Sequence, residues 1–572
     1  MLTSPLEIRW LGRVRYDDAL ALQRGLFGAV EPRNHLLLLE HPPVYTLGVR
    51  ASRNNVLVDP ASIGAELATA DRGGDVTFHG PGQLVGYPIL SLPPKRGTGS
   101  GMADTVAYVT SVEQLVIDAC CEIGLANVGR LRGSPGVWVD PHGARPRKIA
   151  AVGVKLSRGR TMHGFALNVD RAVLDWFNHI VPCGIADKAV TSLAQEGIDV
   201  SMRAVVDVVA RLAGEQWGAA GVHRDDATWR STPDDLAPFS RGAGPGTKAL
   251  GRLAQAGVDS STAVSISARK PEWLRVKANM GEQYRALKST LRSLDLVTVC
   301  EEAGCPNIHE CWNDGTATFM ILGERCTRAC GFCLVDTQLP LPADPAEPGR
   351  VAEAVARLAR RHAVVTMVAR DDLSDGGAAA VAATVTAIRR VNPDTRVEVL
   401  ISDLKGDPDA IATVLASRPD VLNHNLETVI RLQRAVRPSA SYARSLSLLA
   451  RSHAAGLTTK SGLMVGLGET ADEVRAALRD LRSIGVDIVT IGQYLRPTSN
   501  HLPMARYWEP AEFDDLRAYG FSLGFAHVEA SPLTRSSFHA RQGADAAAAA
   551  AGAAAAAADG DRSVPVALST RR

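Results

Sequence analysis

A chain of 572 residues is too long for one ordinary core, so two or more domains are expected. Its 46% hydrophobic and 22% charged residues are those of a globular protein, and a net charge of +2 gives no support to a broad nucleic-acid or membrane-surface footprint. No apolar run approaches the roughly 20 residues of a membrane helix, and the start lacks a basic segment followed by an apolar stretch. The cytoplasm is therefore the expected compartment, with the nine cysteines reduced and available for metal or catalytic roles.

From about Glu7 to Ala213 the pattern alternates strand-like runs with few helices. "HLLLLE", "GVWV", "KIAAVGVKL" and "MHGFALNV" read as strands. "TVAYVTSVEQLVIDACCEI" reads as a helix with Val109, Val112, Val116, Cys120 and Ile123 on one face. Helices are too sparse for parallel crossovers throughout, so a mixed or antiparallel sheet is predicted. "DRGGDVTFHGPGQLVGYPI" gathers glycines, an arginine and a histidine into one turn-rich stretch, where backbone N–H groups can approach a substrate closely. "RKIAAVGVKLSRGRTMHGFALNV" then supplies Lys148, His163 and Asn168, and "HIVPCGI" supplies Cys183.

A thiol carries an acyl group well, because its thiolate is nucleophilic and its thioester stays reactive. That use requires a depressed pKa, which a nearby lysine ammonium provides. The alternative for a lone cysteine is a small buried core residue. That is the reading for Cys120 and Cys121, whereas Cys183 stands between Pro182 and Gly184 in a predicted loop. Together these residues resemble the lipoyl(octanoyl) transferase family from Leu6 to Ala213. The resemblance implies that Cys183 is the acyl-thioester nucleophile and Lys148 the residue that lowers its pKa. It implies an acyl site built from Arg72, Gly73, Gly74, Asp75, Val76, Thr77, Phe78 and His79, from Ala151, Val152 and Gly153, and from Gly164, Phe165 and Ala166. It also implies the mixed-sheet α/β fold shared with biotin and lipoate protein ligases. An ATP-dependent ligase is the neighbouring alternative, although a ligase that activates its acid as an adenylate needs no cysteine. Basic residues crowd 145–160, including Arg147, Lys155 and Arg158. They read either as a dock for an acidic acyl carrier protein or as a solvated charged hairpin.

Periodicity fades from Gly218 to Ala268 in a Pro-, Gly-, Ser- and Asp-rich stretch that reads as a linker. Beyond it lie six of the nine cysteines, from Cys300 to Cys333. Strand-like "FMIL", "AVVTMVA", "VEVLISDL", "VLNHNLE", "SGLMVGL", "DIVTIGQYL" and "AHVEA" then alternate with helical stretches. That alternation predicts a parallel sheet, as a full or partial TIM-like barrel with its active site at the strands' C-terminal ends. The closing "GADAAAAAAGAAAAAADGD" has high helix propensity but no amphipathic face, and reads as a disordered tail over 542–572.

Disulfides do not suit the compartment. Zinc prefers four ligands in paired Cys-x-x-Cys knuckles, and only Cys330 and Cys333 have that spacing. Cys326, Cys330 and Cys333 stand as C-x-x-x-C-x-x-C directly after a predicted strand, which resembles the radical S-adenosylmethionine superfamily. Three ligands on a four-iron cube leave one iron for S-adenosylmethionine. Cys300, Cys305 and Cys311 form C-x4-C-x5-C. With "NHNLETV", "TKSGLMVGLGET", "IGQYLRPT" and "RSSFHA", the stretch from Arg269 to His539 resembles lipoyl synthase. The resemblance implies that the first triplet, with Ser537 as fourth ligand, holds an auxiliary 4Fe–4S cluster. The second triplet would hold the S-adenosylmethionine-binding 4Fe–4S cluster. Two sulfurs would be inserted at C6 and C8 of a protein-bound octanoyl chain. "HAVVTMVARDDLSDGG" and Phe538, where tyrosine is usual, depart from the family pattern. Asp371 and Asp372 also read as an acidic helix cap.

The expected organisation is an octanoyltransferase domain over 1–217, a linker over 218–268, a radical domain over 269–541 and the tail. The expected partners are octanoyl-acyl carrier protein, lipoyl carrier domains of 2-oxoacid dehydrogenases and the glycine cleavage H protein, and an electron donor such as flavodoxin or ferredoxin. A zinc-stabilised binding module behind a single enzyme is the reading of a different class.

Overall fold

The structure is a computed structural model. It describes residues 4–95, 103–181, 189–218, 220–227, 247–276, 281–302, 305–313, 318–358 and 361–561. The chain forms two compact units, residues 1–233 with 442–450, and residues 234–441 with 451–572. No helix among the described residues is long and apolar enough to cross a membrane.

The first unit is a mixed sheet. Its strands are β1 (Leu6–Arg13), β2 (Asn34–Glu40), β6 (Gln83–Ile89), β7 (Val128–Leu131), β8 (Ser134–Val139), β9 (Arg147–Ser157), β10 (Arg160–Asn168) and β12 (Val222–Asp226). They lie in the order β12-β1-β2-β6-β10-β9-β8-β7, and a short β11 (Ala189–Val190) runs beside β9. β1 pairs in parallel with β2 and β12, whereas the run from β2 to β7 is antiparallel. A separate small sheet joins β3 (Val44–Leu47), β4 (Glu66–Thr69) and β5 (Val76–His79). The helix over Thr105–Glu122 starts where the Asp104 carboxylate accepts from the Ala107 amide at 3.1 Å. Its Val112, Leu115, Val116, Ala119 and Cys120 recur at helical spacing and are fully buried against the sheet. Cys120 is buried as expected, but Cys121 is exposed, because adjacent helical positions point 100° apart.

The second unit carries eight strands in sequential order, β13 (Val297–Thr298), β14 (Thr318–Ile321), β15 (His362–Met367), β16 (Arg396–Leu400), β17 (Val421–Asn423), β18 (Thr458–Val465), β19 (Ile488–Gln493) and β20 (His527–Ala530). β14 to β20 are all parallel, and β13 is antiparallel to β14. The predicted βα alternation is present, as a partial rather than a closed barrel.

A charged group is buried near the starts of these strands. Lys460 Nζ lies 2.9 Å from Glu398 Oε1, Asn423 Nδ2 donates to the same oxygen at 3.0 Å, and His362 Nε2 stands 3.5 Å from Oε2. Glu398 is 0% and Lys460 1% exposed.

Two sequence expectations change. The stretch 218–268 is more than a linker: Val222–Asp226 adds an edge strand to the first sheet, and Val264 N donates to Met504 O at 2.8 Å in the second unit. A polar edge strand held by backbone bonds leaves no apolar alternation to read. The tail is helical over Ala540–Asp561. Its Ala544 and Ala547 pack on Val421 and Ile488, the first residues of β17 and β19, and Asp545 pairs with Arg396 at the start of β16. Small side chains let this helix approach the strand ends closely, a fit that amphipathicity does not register. Ala547→Asp should therefore bury an unpaired charge and cost about 2 kcal/mol or more. Thermal unfolding should report it as a fall of about 4 °C or more.

Candidate functional sites

The first unit encloses a cavity of about 500 Å³. The structure brings residues 72–77, His79, Lys148, 151–153 and 164–166 to its wall. Phe78 is not among them. It alternates to the other face of β5 and stacks on Trp176 at 5.1 Å between centroids. Arg72 braces its own loop: Nη2 donates to Thr46 O and Oγ1, both at 2.8 Å, and Nη1 to Asp75 O at 2.9 Å. Gly74 sits at φ 94°, a conformation side chains rarely adopt. A Cβ on Gly164 would meet Gly86 O at 2.1 Å, so only glycine lets β10 pass there.

Hydrogen bonds run from His79 to the Lys148 backbone. His79 Nδ1 donates to Gln83 Oε1 (2.8 Å), Gln83 Nε2 to Asn168 Oδ1 (2.9 Å), Asn168 Nδ2 to Thr191 O (2.9 Å) and Thr191 N to Lys148 O (2.9 Å). Burial, with His41 alongside, holds the His79 imidazole neutral, well below its usual range. Its Nδ1–H is thereby committed to Gln83. Lys148 Nζ lies 4.9 Å from the centre of the Trp138 ring. Cys183 lies outside the described residues. The chain re-enters at β11, where Ala189 and Val190 pair with Arg147 and Lys148.

Two cations of the basic stretch 145–160 have acidic partners, whereas Arg145 and Arg158 are exposed. Arg147 binds Glu196 through both Nε (2.8 Å) and Nη2 (2.9 Å), and Lys155 Nζ lies 2.6 Å from Asp71. Arg160, 8% exposed, donates to Leu26 O and Arg33 O. The partners of Arg147 and Lys155 come from distant parts of the chain. Asp71, which sequence reasoning passed over, also accepts from His163 Nε2 at 2.8 Å. Burial raises its pKa, but Lys155 and His163 outweigh that and bring it to about 2.

In the second unit the loop after β14 carries Cys326, Cys330 and Cys333. It is tied down from several sides: Cys326 N donates to Asp336 O (2.7 Å), Gly331 N to Val436 O (2.9 Å), and His501 Nε2 to Cys333 O (2.9 Å). Burial pushes the Cys330 thiol up to about 11, with Cys326 adding to the shift, and Cys333 to about 12, with Cys330 and Cys326 adding. The three sulfurs therefore feel one another. Asp371 and Asp372 do not cap a helix. Asp371 takes the Arg328 guanidinium in two hydrogen bonds (2.8 and 2.9 Å), and Asp372 pairs with Arg370 at 2.8 Å. Asp375 caps instead, accepting from Gly377 N (2.9 Å) and Ala379 N (2.8 Å). Arg328 Nη2 also reaches the fully buried Asp403 at 2.6 Å, so the cysteine loop is fastened to the C-terminal ends of β15 and β16.

Cys300, Cys305 and Cys311 lie before β14. Cys305 N donates to Cys300 O (3.0 Å) and Cys311 N to Asn307 O (2.9 Å). Burial and Cys305 push the Cys300 thiol up to about 11. Asn307 Nδ2 donates to Leu533 O at 2.7 Å, and the Arg535 cation acts on the Cys305 thiol. The segment that carries Ser537 is thus held beside the first triplet. Among the described residues, no three His, Cys, Asp or Glu side chains are drawn together tightly enough to hold a metal ion. The donor set itself suits iron, because each triplet offers three soft sulfur ligands.

A mixed sheet enclosing a cavity and a parallel partial barrel with a cysteine loop at its strand ends define a two-domain α/β enzyme. Comparison with known families gives each part its class. Residues 15–212 match the lipoyl protein ligase A/B catalytic domain, 255–305 the N-terminal domain of lipoyl synthase, and 320–481 the radical SAM superfamily. Lipoyl synthase of Rubrobacter xylanophilus is 58% identical over 280 residues, which are 49% of this chain and 87% of that protein. Lipoyl synthase of Mycobacterium avium is 55% identical over 272 residues, 48% of this chain and 89% of that protein. A bi-partite lipoate protein ligase from Thermoplasma acidophilum is 17% identical with a TM-score of 0.32, covering 40% of this chain and 88% of that chain. The chain belongs to the lipoyl synthase family and carries a lipoyl protein ligase-type catalytic domain in front of it, which makes it an enzyme of lipoate biosynthesis.

Proposed function

We propose that the chain performs two consecutive steps on one carrier. The first unit moves octanoyl from octanoyl-acyl carrier protein through Cys183 to a lysine of a lipoyl carrier domain, and the second unit converts that octanoyl group to lipoyl. The observation that supports this most is the cavity, which gathers Lys148 with three separate glycine-rich segments into a space of the size a small acyl group needs. The Lys148 ammonium would hold the Cys183 thiol as thiolate for attack on the incoming thioester. Acyl transfer then releases the carrier's thiol and leaves octanoyl on Sγ until the acceptor amine displaces it.

In the second unit, Cys326, Cys330 and Cys333 would hold the 4Fe–4S cluster that binds S-adenosylmethionine. Cys300, Cys305, Cys311 and Ser537 would hold the auxiliary one. When bound, these groups supply a 5′-deoxyadenosyl radical and the inserted sulfur. The chain's own part is to orient them: Arg328 pins the first loop to Asp371 and Asp403, and Asn307 pins the second to the segment bearing Ser537. An electron donor such as flavodoxin or ferredoxin is required. Fusion raises the effective concentration of the second site around a carrier just acylated at the first.

The test is mass spectrometry of an apo lipoyl carrier domain incubated anaerobically with reconstituted protein, octanoyl-acyl carrier protein, S-adenosylmethionine and reductant. Successive octanoyl and lipoyl mass gains are expected. Octanoyl mass alone, from a protein whose iron and sulfide content shows both clusters, would sink the second half of the proposal. A zinc-bearing, colourless protein would sink it sooner.

A further inference from the structure

The loop that carries Cys326, Cys330 and Cys333 is held in two halves by different parts of the second unit. Arg328 fastens the first half to Asp371 and Asp403, beyond β15 and β16. The second half, from Gly331 to Cys333, rests on the turn that follows β19. Leu502 N donates to Gly331 O at 2.9 Å. A Cβ on Gly331 would meet Leu502 Cδ1 at 2.6 Å, so glycine permits this close approach. One residue earlier, His501 Nε2 donates to Cys333 O at 2.9 Å.

The turn is built to present that imidazole. His501 is 6% exposed, and Leu502 beside it is fully buried. Arg496 spans the turn, donating from Nε to His501 O at 3.0 Å and from Nη2 to Ser499 O at 2.6 Å. The Tyr494 hydroxyl donates to Leu502 O at 2.8 Å. On the other side of the ring, Thr498 Oγ1 lies 2.8 Å from His501 Nδ1. A carbonyl oxygen only accepts, so Nε2 carries the hydrogen, and in the neutral ring Nδ1 accepts from the Thr498 hydroxyl. The Asn500 amide donates to that hydroxyl at 3.1 Å and fixes its place. Thr498 thus selects the tautomer that Cys333 O needs.

We propose that His501, set in its tautomer by Thr498, is a positioning residue for Cys333, holding that sulfur in place as a cluster ligand through the Cys333 carbonyl. The carbonyl shares one rigid plane with the next amide, so fixing it fixes the direction in which the chain leaves Cys333. Two residues on, the Val335 amide hydrogen-bonds to the Cys333 sulfur itself. Partners that orient a metal ligand without touching the metal typically change metal affinity by about 10–100-fold when removed. The inference rests on the proposed use of Cys326, Cys330 and Cys333 as ligands of a 4Fe–4S cluster.

The experiment uses the full chain with Cys300→Ala, Cys305→Ala and Cys311→Ala, so that only the second triplet can hold a cluster. This background protein is reconstituted anaerobically, and iron release to a ferrous chelator is timed by loss of the brown absorbance. His501→Leu, added to the background, should release iron about ten-fold faster or more. Thr498→Val keeps the shape and removes the hydroxyl, so release should quicken in the same direction by less. His501→Gln still offers an N–H to the carbonyl and should stay close to the background. Thr498→Val carries the test should His501→Leu fold poorly. An unchanged rate in Thr498→Val, or a His501→Gln protein that loses iron as fast as His501→Leu, overturns the positioning role while leaving the cluster standing. If the background protein takes up no four-iron cluster, the reading of the second triplet falls and the role of His501 with it.

Discussion

Cys183→Ala is expected to abolish octanoyl transfer, and Lys148→Ala to slow it by about 10²–10⁴-fold, the range of a lost acid–base group. The thiolate is the nucleophile, and a free cysteine titrates near about 8.5, which leaves a few per cent ionised at neutral pH. Lys148 pairs with Val190, seven residues after Cys183 in the sequence, and on the proposed reading its ammonium favours the ionised form. The check is the pH dependence of Cys183 alkylation, followed by peptide mass spectrometry. Its midpoint should lie below that of a free cysteine in the parent protein and rise towards it in Lys148→Ala. Lys148→Arg separates two roles, because guanidinium keeps the charge but does not give up a proton. Alkylation should stay fast in that variant while acyl transfer stays slow. Equal alkylation profiles for the parent protein and Lys148→Ala would remove lysine from the activation of the thiol.

The second large effect concerns the buried charges beneath the partial barrel. Lys460→Met should destabilise the second unit by about 3–5 kcal/mol, since it strands a carboxylate that has no exposure. Calorimetry should show a fall of about 10 °C in its unfolding transition. Adding Glu398→Leu to Lys460→Met should recover most of the loss, because the ion pair is worth little once both charges are gone. The pH dependence carries a second sign. Burial raises the Glu398 pKa, but the Lys460 ammonium and His362 outweigh it and bring it to about 2. A carboxylate depressed in the fold stabilises above its unfolded pKa of about 4.3, and that contribution is lost as pH falls towards 2. In Lys460→Met the folded pKa is instead raised. The deficit should therefore narrow as pH falls from 7 towards 4, the opposite of a lost surface pair. A deficit independent of pH would mean that Lys460 acts by packing alone.

Much of the candidate sites could be read from the sequence where chemistry is written in adjacent residues. The glycine-rich stretch 71–89 is such a case, since loop spacing is a local property. Asp71 shows the limit. Its partners Lys155 and His163 lie 84 and 92 residues away, and no pattern around position 71 announces them. Asp371 and Asp372 show another. Two acids ahead of a helix suggest a cap, but Arg328 and Arg370 claim them, and Asp375 serves the helix amides.

The amino-acid pattern by itself determined the two-domain organisation and the mixed and parallel sheets. Each of these follows from periodicity or from spacing within a single element. Only the tertiary structure decided that Phe78 leaves the cavity wall while its neighbours face it. It alone decided that Arg147 and Lys155 find acids far away in the chain, and that an alanine-rich tail closes over the strand starts as a helix. Those outcomes depend on which distant surfaces meet, and contact between remote segments rewards shape and charge complementarity that leave no periodic trace in the chain.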